Sequence, residues 1–221
     1  MKRLKFVGLI TFGVMFSGNS HADDFNVSAK SDFLENPFVA TGFDARKNIT
    51  TGYLEALRTS PGRTDVCKLL FSEDPKRKNY LKIVYFMGGE ESRIAASLAK
   101  DHEAILERNK SGVRLVFKEK DMDGDCDWIL PFVGEPIVEA NGGTVAVLVS
   151  KRNVGDWTSV HAIKSQRAYF HQKPEKESIK KSFLVAWDVI YVYDETVDWY
   201  YVKYNGRKKE STGWIRKEDV F

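Results

Sequence analysis

The chain has 221 residues, with 34 basic and 31 acidic side chains for a formal net charge of +3. Three of the basic residues (Lys2, Arg3 and Lys5) lie in residues 1–22, which carry no acidic group, so the rest balances at 31 against 31. That balance excludes the basic excess that binding to a phosphate backbone demands, so no nucleic acid partner is expected. No later stretch reaches the roughly 18 consecutive apolar residues of a membrane-spanning helix.

Residues 1–22 read as a signal peptide. The basic cluster precedes an apolar run, Phe6 to Phe16, that is too short to span a bilayer. Ser20-His21-Ala22 places small residues at the −3 and −1 positions of a cleavage site, so the mature chain is expected to begin at Asp23. No cysteine follows the cut, which argues against a lipid anchor. The mature protein is therefore expected in the periplasm, without membrane insertion. In that oxidising compartment the two cysteines, Cys67 and Cys126, are expected to form a disulfide; the alternative is two buried thiols. Closing a loop of about 60 residues stabilises a fold by roughly 4 kcal/mol in the chain-entropy treatment.

Residues 23–47 are mixed and polar, broken by Asn36-Pro37 and Thr41-Gly42, and read as a loosely packed leader. Strand signals follow at Thr50–Leu57, Val66–Phe71 and Tyr80–Met87, with Ser60-Pro61-Gly62 as a turn. Ser92–Arg108 is the one helical expectation, from Ile94, Leu98, Ile105 and Leu106 near helical spacing and from its alanines. Strands resume at Val113–Lys118, Asp127–Leu130, Thr144–Ser150 and Val160–Ile163, with Asn141-Gly142 as a hairpin turn. Trp128 on a strand would share a face with Cys126 and bring an indole to the disulfide core, as in many β-sandwiches. Residues 48–163 thus read as a β-sandwich-like N-terminal domain with one possible helix, and 164–221 as a second unit denser in aromatics.

In that second unit, apolar and polar residues alternate in short runs. Val189, Tyr191 and Tyr193 share one face of a strand, and Ile190 and Val192 the other. Trp199, Tyr201 and Lys203 likewise oppose Tyr200, Val202 and Tyr204, and Asn205-Gly206 turns the chain. Asp188-Val189, Tyr191-Val192-Tyr193, Asp198-Trp199-Tyr200-Tyr201-Val202 and Thr212-Gly213-Trp214-Ile215 resemble the pattern of the bacterial SH3 (SH3b) family. The resemblance covers about a quarter of the chain and implies a small SH3-like β-barrel. One departure is that Ala186-Trp187 stands where members often carry Lys-Gly before the aspartate. Family members occur in cell-wall enzymes and in exported proteins, and several hold cell-wall peptides or protein segments in an aromatic-lined groove. By that resemblance, the ligand-binding residues would be Tyr169, Phe170, Trp187, Trp199 and Trp214. The competing reading places these rings in the barrel core, because a unit this small needs large side chains to fill it.

Catalytic chemistry finds little footing. There is no nucleophile elbow, no zincin motif and no phosphate loop. Asp121, Asp123, Asp125 and Asp127 alternate as calcium ligands could, yet Cys126 and Phe132 stand where an EF-hand needs Gly and Glu. The stretch reads as an acidic turn with Gly124 at its tip, and no metal or cofactor is assigned. A thiol hydrolase would pair Cys67 or Cys126 with His102, His161 or His171, but a catalytic thiol usually sits at a helix N-terminus, and neither cysteine is expected there. The Lys173–Lys181 stretch reads as a solvated loop that could rim a groove for an acidic partner. The expected protein is non-enzymatic: a periplasmic adaptor for a peptidoglycan peptide or a protein segment. The alternative is an immunity or inhibitor protein that blocks a toxic periplasmic hydrolase.

Overall fold

A computed structural model describes residues 38–86, 101–109, 112–118, 122, 125–139, 142–150, 156–206 and 209–221. The expected signal peptide lies outside them. The described chain is mostly β: fourteen strands in two antiparallel sheets, and one α-helix.

The first sheet contains β1 (Phe38–Asp44), β2 (Ile49–Ser60), β3 (Arg63–Asp74), β4 (Arg77–Tyr85), β5 (His102–Asn109), β6 (Gly112–Lys118), β7 (Glu135–Glu139) and β8 (Gly142–Ser150). They run in the order β1-β2-β3-β4-β5-β6-β8-β7. The turn between β2 and β3 is Pro61-Gly62, and Gly62 takes a φ of 79°, which only glycine adopts without strain. Alternate residues of each strand face one way: Leu54 and Ala56, Cys67, Leu69 and Phe71, Leu81, Ile83 and Tyr85, Ala104 and Leu106, Leu115 and Phe117. Helix α1 (Cys126–Val133) lies on this face and buries Cys126, Ile129 and Leu130. It touches β2 and β3 on one side and β7 and β8 on the other, so the sheet curls around it. The Cys67–Cys126 disulfide, with its Cα atoms 4.7 Å apart, fastens the start of α1 to β3.

Several sequence expectations change here. The segment read as a loose leader supplies β1, which buries Val39 and Ala40. Of the helix expected at Ser92–Arg108, residues 92–100 lie outside the described residues, and 102–108 form strand β5. Its buried residues, His102, Ala104 and Leu106, recur with period two, and pairing with β4 and β6 outweighs alanine's helical preference. Conversely, Asp127–Leu130 is helical, not a strand. Cys126, Ile129, Leu130 and Val133 keep i, i+3, i+4, i+7 spacing, the helical signal that the sequence reading missed. Trp128 therefore does not share a strand face with Cys126; it packs partly buried beside the core, under the Arg58 guanidinium at 4.1 Å. The sandwich expectation also gives way, because the helix, not a second sheet, fills the concave side.

The second sheet contains β9 (Ser159–Ala162), β10 (Ala168–His171), β11 (Ile179–Leu184), β12 (Val189–Glu195), β13 (Trp199–Asn205) and β14 (Glu210–Arg216). Its order is β11-β10-β14-β13-β12-β9. Strand β9, expected in the N-terminal unit, pairs instead with β12. The two faces of β12 serve two cores. Ile190 and Val192 join Phe170, Leu184, Val202 and Ile215 inside the second sheet. Val189, Tyr191 and Tyr193 pack with Val160 and Ala162 against Phe38, Ala40, Tyr53, Leu70, Val84 and Phe86 of the first sheet.

This join is close and polar at its margins. A Cβ on Gly42 would meet the Ser159 Cα at 2.7 Å, so β9 crosses β1 where only glycine fits. Trp157 Nε1 donates to the Thr41 carbonyl at 2.9 Å, and Val160 N donates to Thr51 Oγ1 at 2.7 Å. Glu195 accepts from Arg46 (3.0 Å) and Lys47 (2.8 Å) of the β1–β2 turn and from Lys217 (2.9 Å).

Candidate functional site

The outer face of the second sheet carries an aromatic strip of three ring pairs. Register places Tyr169 opposite Phe183, His171 opposite Trp214, and Trp214 opposite Tyr201. Each pair therefore shares a face, because directly opposed residues in an antiparallel ladder point the same way. The rings touch across the strands: Tyr169 and Phe183 at 5.5 Å, His171 and Trp199 edge to face at 4.6 Å, Tyr201 and Trp214 at 5.4 Å. Strand alternation explains the placement. Tyr200, Val202 and Tyr204 turn into the core, so Trp199, Tyr201 and Lys203 turn out.

Of the five sequence-proposed ring residues, three lie on this strip. Tyr169 and Trp214 are half-buried, whereas Trp199 is only 7% exposed, beneath His171. His171 Nδ1–H donates to the Glu175 carbonyl at 3.0 Å, which draws the Lys176–Ser178 turn alongside Trp199. Phe170 points the other way, into the core. Trp187 is away from the strip and belongs to the join between sheets. Its ring lies 4.9 Å from Phe86 and 4.8 Å from Phe221, and its φ is 74°. The departure from the Lys-Gly pattern thus has a structural consequence. A left-handed position that suits glycine is held by a tryptophan, whose indole bridges the sheets. The sequence reading missed Phe183, His171 and Tyr201 as members of the strip. The alternation of Trp199 with Tyr201 signalled one of them; the other two follow only from cross-strand register.

An open groove of about 450 Å³ runs past Trp199, lined by Glu175, Lys176, Glu177, Asp198, Arg216, Lys217 and Glu218. Arg216 pairs with Glu218. Lys217 is drawn back to Glu195 and lies over the Tyr200 ring at 4.8 Å. Burial raises the Glu195 carboxyl, but hydrogen bonds from Lys47 and Lys217 outweigh burial and hold it below the ordinary glutamate range. Behind Tyr200, His161 stacks at 5.2 Å. Its Nδ1–H donates to the Phe221 carbonyl at 2.8 Å, and its Nε2 accepts from Ser159 Oγ at 3.0 Å. Both contacts suit the neutral ring, and burial keeps its pKa below the usual histidine value.

Chemistry at the cysteines is closed. Cys126 does begin a helix, contrary to the turn expected there, but its sulfur is bonded to Cys67 and neither residue is a free thiol. Asp125 stands at the N-cap position of α1 without a side-chain capping hydrogen bond, and Asp127 lies in the first turn, where carboxylates meet the positive end of the helix dipole. Asp121, Asp123 and Gly124 lie outside the described residues. No helix among the described residues is long and apolar enough to cross a membrane.

Compared with known proteins, no family model, no curated protein and no solved structure matches this chain.

Proposed function

We propose that this protein is a non-enzymatic binding module of the bacterial SH3 type, exported to the periplasm. Its ligand is an extended segment of the cell envelope, either a peptidoglycan stem peptide or a stretch of another protein. The observation that carries the reading is the outer strip of the second sheet. Tyr169, Tyr201 and Trp214 stay half-exposed there, while the β9–β12 side of the same sheet is buried against the first. Half-exposed rings packed against neighbouring rings make a rigid surface that loses little entropy on binding. The SH3-like resemblance gains support from Asp188, which stands in the family's aspartate position. Its carboxylate accepts from Val185 N at 2.9 Å and from the Tyr204 hydroxyl at 2.8 Å, fixing the turn that opens β12.

The test is co-sedimentation of the mature protein with purified peptidoglycan sacculi, beside a Trp214→Ala variant checked for folding. Binding by the parent that the folded variant loses supports wall recognition through the strip. No binding by the parent moves the ligand to a protein, the outcome the inhibitor reading requires.

A further inference from the structure

We propose that β11 is a docking edge at which an extended, carboxylate-bearing peptide adds to the second sheet as a further strand. This rests on the reading of that sheet as the ligand-binding unit and names the chemistry of its partner. Strand β11 closes one end of the sheet order and pairs with β10 alone; no other described strand covers its far side. Natural sheets shield such edges, because unpaired main-chain groups recruit other strands.

Ile179 and Phe183 of β11, and Val185 just past its end, remain 56%, 41% and 47% exposed, an unusual concentration of bare apolar surface beside one open edge. Phe183 is held in place by Tyr169 and by the Arg167 guanidinium 5.0 Å above its ring. It also continues the aromatic strip to the edge, so an added strand would meet rings as well as main chain.

Charge selects the occupant. Lys180 and Lys181 sit at the middle of β11, with Arg167, Lys173 and Lys176 nearby against Glu175, Glu177 and Asp188, and the Asp188 carboxylate is already held by Val185 N and the Tyr204 hydroxyl. Lys180 Nζ is taken by the Thr212 carbonyl at 3.2 Å, which leaves Lys181 as the exposed cation of the strand. Two copies pairing through β11 about a two-fold axis would set these lysines against each other. An incoming strand with carboxylates would meet them favourably. Main-chain bonds then supply affinity, and the alternating side chains supply selection.

A capped peptide of alternating glutamate and valine, about eight residues long to match an ordinary strand, is the probe. It is titrated by calorimetry against the full mature protein while amide hydrogen exchange is followed. The expected result is slowed exchange in β11 and affinity that falls about tenfold when alternate peptide nitrogens are methylated, since those donors are lost and the side chains are kept. Lys181→Glu is expected to weaken binding roughly fivefold, and Phe183→Ala about tenfold, with unchanged circular dichroism. A lysine-valine peptide of equal length should bind more weakly. Equal binding of the methylated or the lysine peptide, protection at another edge, or no binding at millimolar peptide overturns the proposal. Sacculus binding by Trp214→Ala reports on the aromatic strip alone, so the edge and the strip can fail separately.

Discussion

Trp187 stacks on Phe221 with ring centroids 4.8 Å apart and planes 22° apart. The same indole reaches Phe86 at the end of β4, so one side chain joins the C-terminus of the second sheet to the first. It does so from a backbone φ of 74°, which a residue with a Cβ adopts at a cost of about 1–2 kcal/mol.

That geometry separates two substitutions that remove the same ring. Trp187→Ala loses the bridge and keeps the strained backbone. Trp187→Gly loses the bridge and relieves the strain. Glycine is therefore expected to be the milder change by about 1 kcal/mol in urea unfolding. Alanine proving equal or milder would mean that strain at this position is not significant.

Trp199 and Trp214 should part company. Trp199 is 7% exposed and backed by His171, so Trp199→Ala is expected to cost about 3 kcal/mol of stability. Trp214 is half-buried on the open strip, and Trp214→Ala should cost about 1 kcal/mol while abolishing ligand binding. Paired denaturation and sedimentation assays check both. A stable Trp199→Ala protein would contradict the burial argument.

The Cys67–Cys126 bridge spans 59 residues and ties α1 to β3. Replacing both cysteines with alanine should lower stability by about 4 kcal/mol, as should reduction of the parent in denaturant. The unfolding midpoint of the parent should therefore move with added reductant, and that of the double variant should not.

Stability is expected to fall with acid in two stages. The folded His161 has a depressed pKa and resists a proton that the unfolded chain accepts near pH 6.5. Below that pH the unfolded state binds more protons, so stability declines until the folded ring also titrates. Asp44, Glu73 and Glu195 are held below their ordinary values by hydrogen bonds that outweigh burial. Their contribution is intact above about pH 4.5 and drains away as pH drops further. His161→Gln should remove the upper stage and leave the lower one; an unchanged slope between pH 5 and 7 would place the first stage elsewhere.

Gly42→Ala tests how tightly the sheets are pressed together. The added methyl would meet Ser159 main chain at 2.7 Å, an obstacle that no rotamer change relieves. A loss of about 2–3 kcal/mol is expected, with the damage centred on the β1–β9 crossing. Hydrogen exchange in β9 reports it directly.

The sequence by itself determined what repeats locally. Period-two alternation placed β2, β3, β4 and the strands after Val189, and it correctly opposed Trp199 and Tyr201 to Tyr200 and Val202. The even cysteine count anticipated the bridge. Tertiary structure decided the rest, because the deciding partners are distant in the chain. Residues 102–108 are a strand because β4 and β6 supply its ladder, and Cys126–Val133 is a helix because the curled sheet offers a concave face to its apolar stripe. Which rings could meet a ligand was likewise beyond local reading. Phe170, Trp187 and Trp199 are equally aromatic in the text, but packing sends the first into the core and the second to the join, and leaves the third under a histidine. Burial is a property of neighbours, and most of these neighbours stand too far along the chain for any local pattern to bring together.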